Sequence, residues 1–392
     1  MAVLSQMRPP PPVRLGARTE RIPWYKATDR GFRFSMEFWQ PSQLTGRRRS
    51  GPLASAVSAL CLLSLHCTSQ APVAPDPASA LQPGTRTLLD AHNCYPYHGQ
   101  WTDRIDRALA LGVPLAIEQD LRWYVDPASG QGRSLVAHDP PLSGDEPTLR
   151  EYFFERIRPL MEAELTSGDS SRWPLVTLNL DFKTEEDEHL TYLWRVLGEY
   201  EDWLTTAPKT AELSPLEPGP LLVLTGDSER QKKVFHDDVP TGSELRLFGA
   251  ARVTGPVRDG ASDEMYFQRA TTTPPAKLVY QPATNYRRWW NNPWLFVEEG
   301  GQRNAGEWTE ADRARLQALV DHAHNQGLWI RFYTLNGNDP EDDANGWFEG
   351  YSFGSLEAAR LRWQAAIASG VDFVATDQYE DFHRSFASKT KR

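Results

Sequence analysis

Only three cysteines, Cys61, Cys67 and Cys94, occur in 392 residues, and no two of them have C-x-x-C spacing. A disulfide scaffold and a cysteine-rich zinc or redox site are therefore excluded. No internal repeat is present, and the 27 glycines and 30 prolines follow no period, which removes collagen, coiled coil and a wholly disordered chain. Basic charge is also short. The formal net charge is -10, with charged residues at 24% and hydrophobic residues at 40%. A protein that neutralises nucleic-acid phosphates needs a basic face, so no nucleic-acid partner is expected.

Charge is distributed unevenly. Residues 1–67 hold ten lysines and arginines against three acids, whereas the remainder holds 32 against 49. After Arg47, Arg48 and Arg49 comes the apolar run PLASAVSALCLLSL from Pro52 to Leu65, shorter than the about 20 residues of a membrane span. A basic flank before a short apolar run predicts an export signal, beginning near Met36. Ser64-Leu65-His66 before Cys67 loosely resembles a lipobox, so secretion with or without a lipid anchor at Cys67 is the expected route. The expectation is thus an N-terminal extension with its signal over 1–67, a Pro/Ala/Ser-rich linker over 68–84 and a folded domain over 85–392. An exported protein, periplasmic, secreted or held at a bacterial envelope, follows from it, with peripheral membrane contact open and oligomeric state undetermined.

From Thr85 onward, apolar segments of strand length alternate with segments of helical period. That alternation predicts an α/β fold with a parallel sheet. Eight strands are expected, at Thr87 to Asn93, Pro114 to Arg122, Ser134 to Asp139, Leu175 to Lys183, Leu221 to Asp227, Lys277 to Pro282, Leu328 to Asn336 and Asp372 to Asp377. Helices are expected at Thr102 to Leu111, Thr148 to Leu165, Glu185 to Thr205, Glu310 to Gln326 and Ser355 to Ser369, with Gly112 and Gly370 as stops. Eight strands in a domain of this length fit a closed (β/α)8 TIM barrel, with an open doubly wound sheet as the alternative.

The first four expected strands all end in polar or ionisable residues: His92-Asn93, then Glu118 and Asp120, then His138, then Asn179, Asp181 and Lys183. Side chains two apart on a strand share a face, so Glu118 and Asp120 point one way together, as do Asp181 and Lys183. In a barrel these sets converge at the C-terminal mouth. Carboxylates gathered there call for a divalent cation, and an all-oxygen set suits Ca2+ or Mg2+, with Asn93 as a neutral oxygen donor. Two histidines beside such a cation supply the proton acceptor and proton donor of phosphodiester cleavage, and Lys183 offsets charge on the phosphate.

The ordered set AHN, EQD, AHD and NLDFK resembles the phospholipase C-like phosphodiesterase superfamily, which contains glycerophosphodiester phosphodiesterases and phosphatidylinositol-specific phospholipases C. The likeness runs from about Leu88 to Phe382 and includes DRALALG at Asp106 to Gly112 and GVDFVATD at Gly370 to Asp377. It implies a TIM barrel, a phosphoric diester hydrolase, His92 and His138 as the acid/base pair, and Glu118, Asp120 and Asp181 as holders of one divalent cation. The chain departs from the glycerophosphodiesterase pattern at Asn93-Cys94, closer to the His-Asn of calcium-dependent phospholipases C, and has Asp181 where Glu is commoner.

Other segments admit two readings. NYRRWWNNPW at Asn285 to Trp294 is expected as a loop whose Arg287 or Arg288 contacts phosphate and whose Trp290 contacts a lipid or polyol. Tyr333, Asn336 and Asp377 are expected at the mouth, and Glu298 in solvent. Two functional alternatives stand beside the hydrolase. One is an inactive barrel binding phospholipid head groups or envelope glycans. The other is a glycoside hydrolase using the many acids and 14 Trp, which leaves both histidines without a role.

Overall fold

Residues 80–97, 99–256, 260–298, 306–338 and 352–387 are described by the structure, a computed structural model. The expected signal, Cys67 and the linker up to residue 79 lie outside the described residues. In chain order the strands are β1 (Leu88–Ala91), β2 (Leu115–Val125), β3 (Gly132–Val136), β4 (Val176–Phe182), β5 (Ala207–Pro208), β6 (Leu221–Thr225), β7 (Glu244–Leu245), β8 (Phe248–Ala250), β9 (Arg287–Pro293), β10 (Trp329–Tyr333) and β11 (Phe373–Thr376). Among the described residues, eight of these pair in parallel as β1-β2-β4-β6-β8-β9-β10-β11, and β11 returns to β1 with Leu88 opposite Phe373 and Ala91 opposite Thr376. The result is the closed barrel with flanking helices that the alternation predicts.

Six of the eight expected strands are staves, and two are not. Ser134 to Asp139 was expected as the third stave; β3 instead runs antiparallel to the outer half of β2, with Leu121 opposite Val136, and forms a hairpin beyond the ring. Strand length explains it, because β2 continues for 11 residues and its second half pairs outside the ring. Lys277 to Pro282 falls on a short helix, Pro275–Leu278, and the loop after it, so no stave lies there. The missing staves are β8, with three residues, and β9, which is RRWWNNP. Neither has the aliphatic run that marks a buried strand, and β9 occupies the segment expected as a loop.

Strand alternation sorts the core into two parts. Outward side chains such as Ile117, Leu178, Val223, Trp290 and Ile330 pack against the helices. Inward side chains Leu88, Ala116, Leu222, Leu224, Phe248, Trp289, Trp329 and Phe373 fill the barrel, and Leu81 joins them from the preceding segment. Leu81 is 5% exposed, a burial that contributes roughly 2 kcal/mol. The folded part therefore begins before the expected boundary at Thr85. Gly84 adopts φ +78, and a Cβ there would meet the His324 imidazole at 2.9 Å, so the turn feeding Leu81 into the barrel needs glycine.

The helices follow their expected signals closely. Glu310–Asn325 opens with a capping box between Thr309 and Asp312, and Leu356–Ser369 is capped by Ser355 and stopped by Gly370 at φ +80. No described helix is long and apolar enough to cross a membrane.

Candidate active site

The mouth is assembled from strand ends. On β1 the residues Leu88, Asp90 and His92 point inward in turn, and His92 follows the last stave residue. Asn93 then takes φ +49, a left-handed conformation that asparagine tolerates, which turns its backbone N–H onto Glu118 Oε2 at 3.1 Å. Glu118 and Asp120 point inward from β2, and Asn179 and Asp181 from β4, in direct register. His138 arrives on the loop after β3. Together with Lys183, Arg331, Tyr333 and Asn291, these residues line a cavity of about 410 Å3.

Each histidine has an aspartate oxygen close to Nδ1, hydrogen-bonded at His92 and within ion-pair distance at His138. His92 Nδ1 lies 3.0 Å from Asp377 Oδ1, and its Nε2 lies 3.5 Å from Glu118 Oε2. His138 Nδ1 lies 2.7 Å from Asp139 Oδ2, and its Nε2 lies 3.8 Å from Asp120 Oδ2. Asp377 is fixed in turn by the amides of Asn93 at 3.0 Å and Asn336 at 2.5 Å. An aspartate on Nδ1 sets the ring orientation and leaves Nε2 for chemistry. The surroundings push the two rings apart electrostatically. Burial lowers the basicity of His92, but Glu118 and Asp377 overcome it and raise its pKa above the usual value. Burial and then the Lys183 ammonium depress His138.

One oxygen each of Glu118, Asp120 and Asp181 lie within 4.8 Å of one another. Burial would protonate Glu118, yet His92, Arg331 and Lys183 hold it below the ordinary carboxylate range. Burial pushes Asp120 up to about 8, Lys183 opposing and the Asp181 and Glu118 charges adding to the rise. Lys183 Nζ spans the pair, 2.7 Å from Asp181 and 3.1 Å from Asp120, and those carboxylates raise it despite burial. The protein's own cations thus leave the cluster short of positive charge, and the donors are all hard oxygens. Such a set fits Ca2+ or Mg2+.

Of the remaining expected site residues, Asn93 lines the cavity and the other three do not. Asn93 Oδ1 accepts from the Tyr95 hydroxyl at 2.6 Å while its amide holds Asp377, so its side chain steadies the histidine. Arg287 is buried and donates to the carbonyls of Ala250 and Asp227 and to Glu229. Arg288 is buried, with its guanidinium over the Phe248 ring and donating to the Ser214 carbonyl at 2.7 Å. Trp290 is fully buried in the outer core beside His322. None of these three lines the cavity, because their segment is a stave rather than a loop. Glu298, expected in solvent, is 2% exposed and paired with Arg362 at 2.6 Å.

Arg331, Asp90 and Asn291 escaped the reading of the sequence. Their signal was present in the alternation, since WIRFY and LLDA each place a charge on the inward face between apolar neighbours.

No family model matches the chain, and no curated protein matches it. Among solved structures, a glycerophosphoryl diester phosphodiesterase from Parabacteroides distasonis shares 13% identity at a TM-score of 0.39, the match covering 80% of this chain and 91% of that one. A calcium-dependent phosphoinositol-specific phospholipase C from a Pseudomonas species shares 14% at 0.38, covering 79% and 96%. HPPK-DHPS from Plasmodium falciparum shares 8% at 0.37, covering 79% and 48%. Similarity of this extent fixes neither activity nor substrate, which rest on the side chains at the mouth.

Proposed function

We propose that this chain is an exported, cation-dependent phosphoric diester hydrolase that cleaves a glycerophosphodiester or the phosphodiester of a phospholipid head group. One observation carries the reading: two histidines, each with an aspartate beside Nδ1, direct Nε2 at the two buried carboxylates of β2, and the more exposed Asp181 completes an acidic triad with them. Neither an inactive binding barrel nor a glycoside hydrolase needs both imidazoles so placed.

Glu118, Asp120 and Asp181 would hold the cation, which when bound supplies charge to orient the phosphate and acidify a neighbouring hydroxyl. The protein's residues perform the proton transfers. One Nε2 accepts the proton of the attacking hydroxyl, from water or from the substrate itself, and the other donates to the departing alkoxide. Asp377 and Asp139 hold Nδ1 and stabilise whichever ring becomes charged. Lys183 faces the phosphate side of the cavity and balances its negative charge.

The test is hydrolysis of bis(p-nitrophenyl) phosphate, glycerophosphodiesters and phosphoinositides by the purified protein, with EDTA and with Ca2+ or Mg2+ restored. Turnover that EDTA abolishes, the cation restores and His138→Ala removes supports the reading. A folded protein inactive on every diester points to the binding barrel, and activity surviving the loss of both histidines points to glycoside-type chemistry.

A further inference from the structure

Arg331 sits in the middle of β10 with its side chain 1% exposed, on the floor of the cavity. Burying a guanidinium costs several kcal/mol unless every donor is answered, and an apolar residue would fill the space more cheaply. Trp329, two residues earlier on the same face, does just that one layer lower. The guanidinium instead reaches three other staves. Nε pairs with Asp90 on β1, Nη1 donates to Asn291 Oδ1 on β9 at 3.0 Å, and Nη2 lies 3.4 Å from Glu118 Oε2 on β2. Nη2 makes no hydrogen bond among the described residues. The planar group also lies 5.3 Å from the Tyr333 ring, which stacks on His92 at 6.1 Å.

The contacts on Glu118 are one-sided. Asn93 N, Arg331 Nη2 and His92 Nε2 all approach Oε2, and among the described residues no hydrogen bond falls on Oε1. From this arrangement we propose that Arg331 is a positioning residue: anchored on Asp90 and Asn291, it fixes the rotation of Glu118 so that Oε1 faces the cation, and it backs His92 through Tyr333. The fork shape matters, because a single ammonium cannot serve Asp90, Asn291 and Glu118 at once. The proposal rests on the cation-dependent reading above.

Three full-length proteins test it: wild type, Arg331→Lys, and Arg331→Met combined with Asp90→Asn. The lysine variant keeps the charge, and the double variant removes the Asp90 pair as a unit, so neither leaves a lone buried ion. Ca2+ affinity by titration calorimetry is the first readout, independent of turnover. Both variants are expected to bind Ca2+ about 10- to 100-fold more weakly, as for partners that orient a ligand. At saturating Ca2+, kcat should fall while KM changes less than about threefold. If either folded variant binds Ca2+ as wild type does and keeps its kcat, Arg331 merely fills the core and the proposal falls alone. If wild type itself binds neither Ca2+ nor Mg2+, the cation-dependent reading falls and takes the proposal with it.

Discussion

At the N-terminal end of the barrel the inward residues are Leu88, Leu222, Trp329 and Phe373, with Leu81 packed among them. One strand repeat further on, β1 and β10 present Asp90 and Arg331, and beyond these His92 and Tyr333, beside Glu118 and Asp120 from β2. On β1 and β10 a shift of two residues thus exchanges an interior that stabilises for one that costs stability. Backbone pairing is common to both ends, so the ring tolerates the charged layer because the apolar layer offsets it. Stability and chemistry are therefore separable by position along the strand.

That separation breaks most visibly at the mouth. His92→Ala and Glu118→Gln should each lower phosphodiesterase turnover on the order of a thousandfold. Melting temperature should stay near wild type, so loss of fold alongside loss of rate would mean the two ends are not independent. At the opposite end, Leu81→Ala should cost about 2–4 kcal/mol in urea unfolding and leave kcat unchanged for the folded fraction. A fall in kcat there would show the plug reaching the site.

The hairpin supplies a test that depends on pH. His189 is buried against Ser134 of β3 at 2.8 Å, and burial lowers its pKa from 6.5 to about 4. On acidification the unfolded imidazole is protonated first, so stability that is full above pH 6.5 is lost as pH falls from 6.5 toward about 4, by roughly 3 kcal/mol. His189→Gln should flatten that part of the stability profile, and an unchanged slope would assign the acid sensitivity to other groups. The smallest effect is expected on β9: Arg288→Ala should leave KM within about twofold of wild type, since the side chain does not line the cavity. A large rise in KM would return this residue to the substrate.

The first half of the barrel was legible because its staves are aliphatic runs ending in ionisable residues. LAIEQD and VTLNLDF show both the strand and its inward face. The hairpin was legible as a strand but not as an antiparallel one, since parallel and antiparallel partners leave the same local pattern. Hidden altogether were β8 and β9, where three residues are too few for a period and RRWWNNP buries polar and aromatic groups through tertiary contacts alone. The error about Arg287, Arg288 and Trp290 follows directly from that. Arg331 was overlooked for a related reason: a charge inside an apolar strand has meaning only once its partners on three other strands are known.

Barrel closure has a bearing on how the protein is made. His92 and Asp377 are 285 positions apart, brought together only because β1 pairs with β11. The orientation of His92 is therefore completed only once Asp377 has been made, and a chain ending before the final strand would hold the proposed cation ligands without the aspartate behind this histidine. Under the proposed mechanism, turnover would require a chain made at least as far as Asp377.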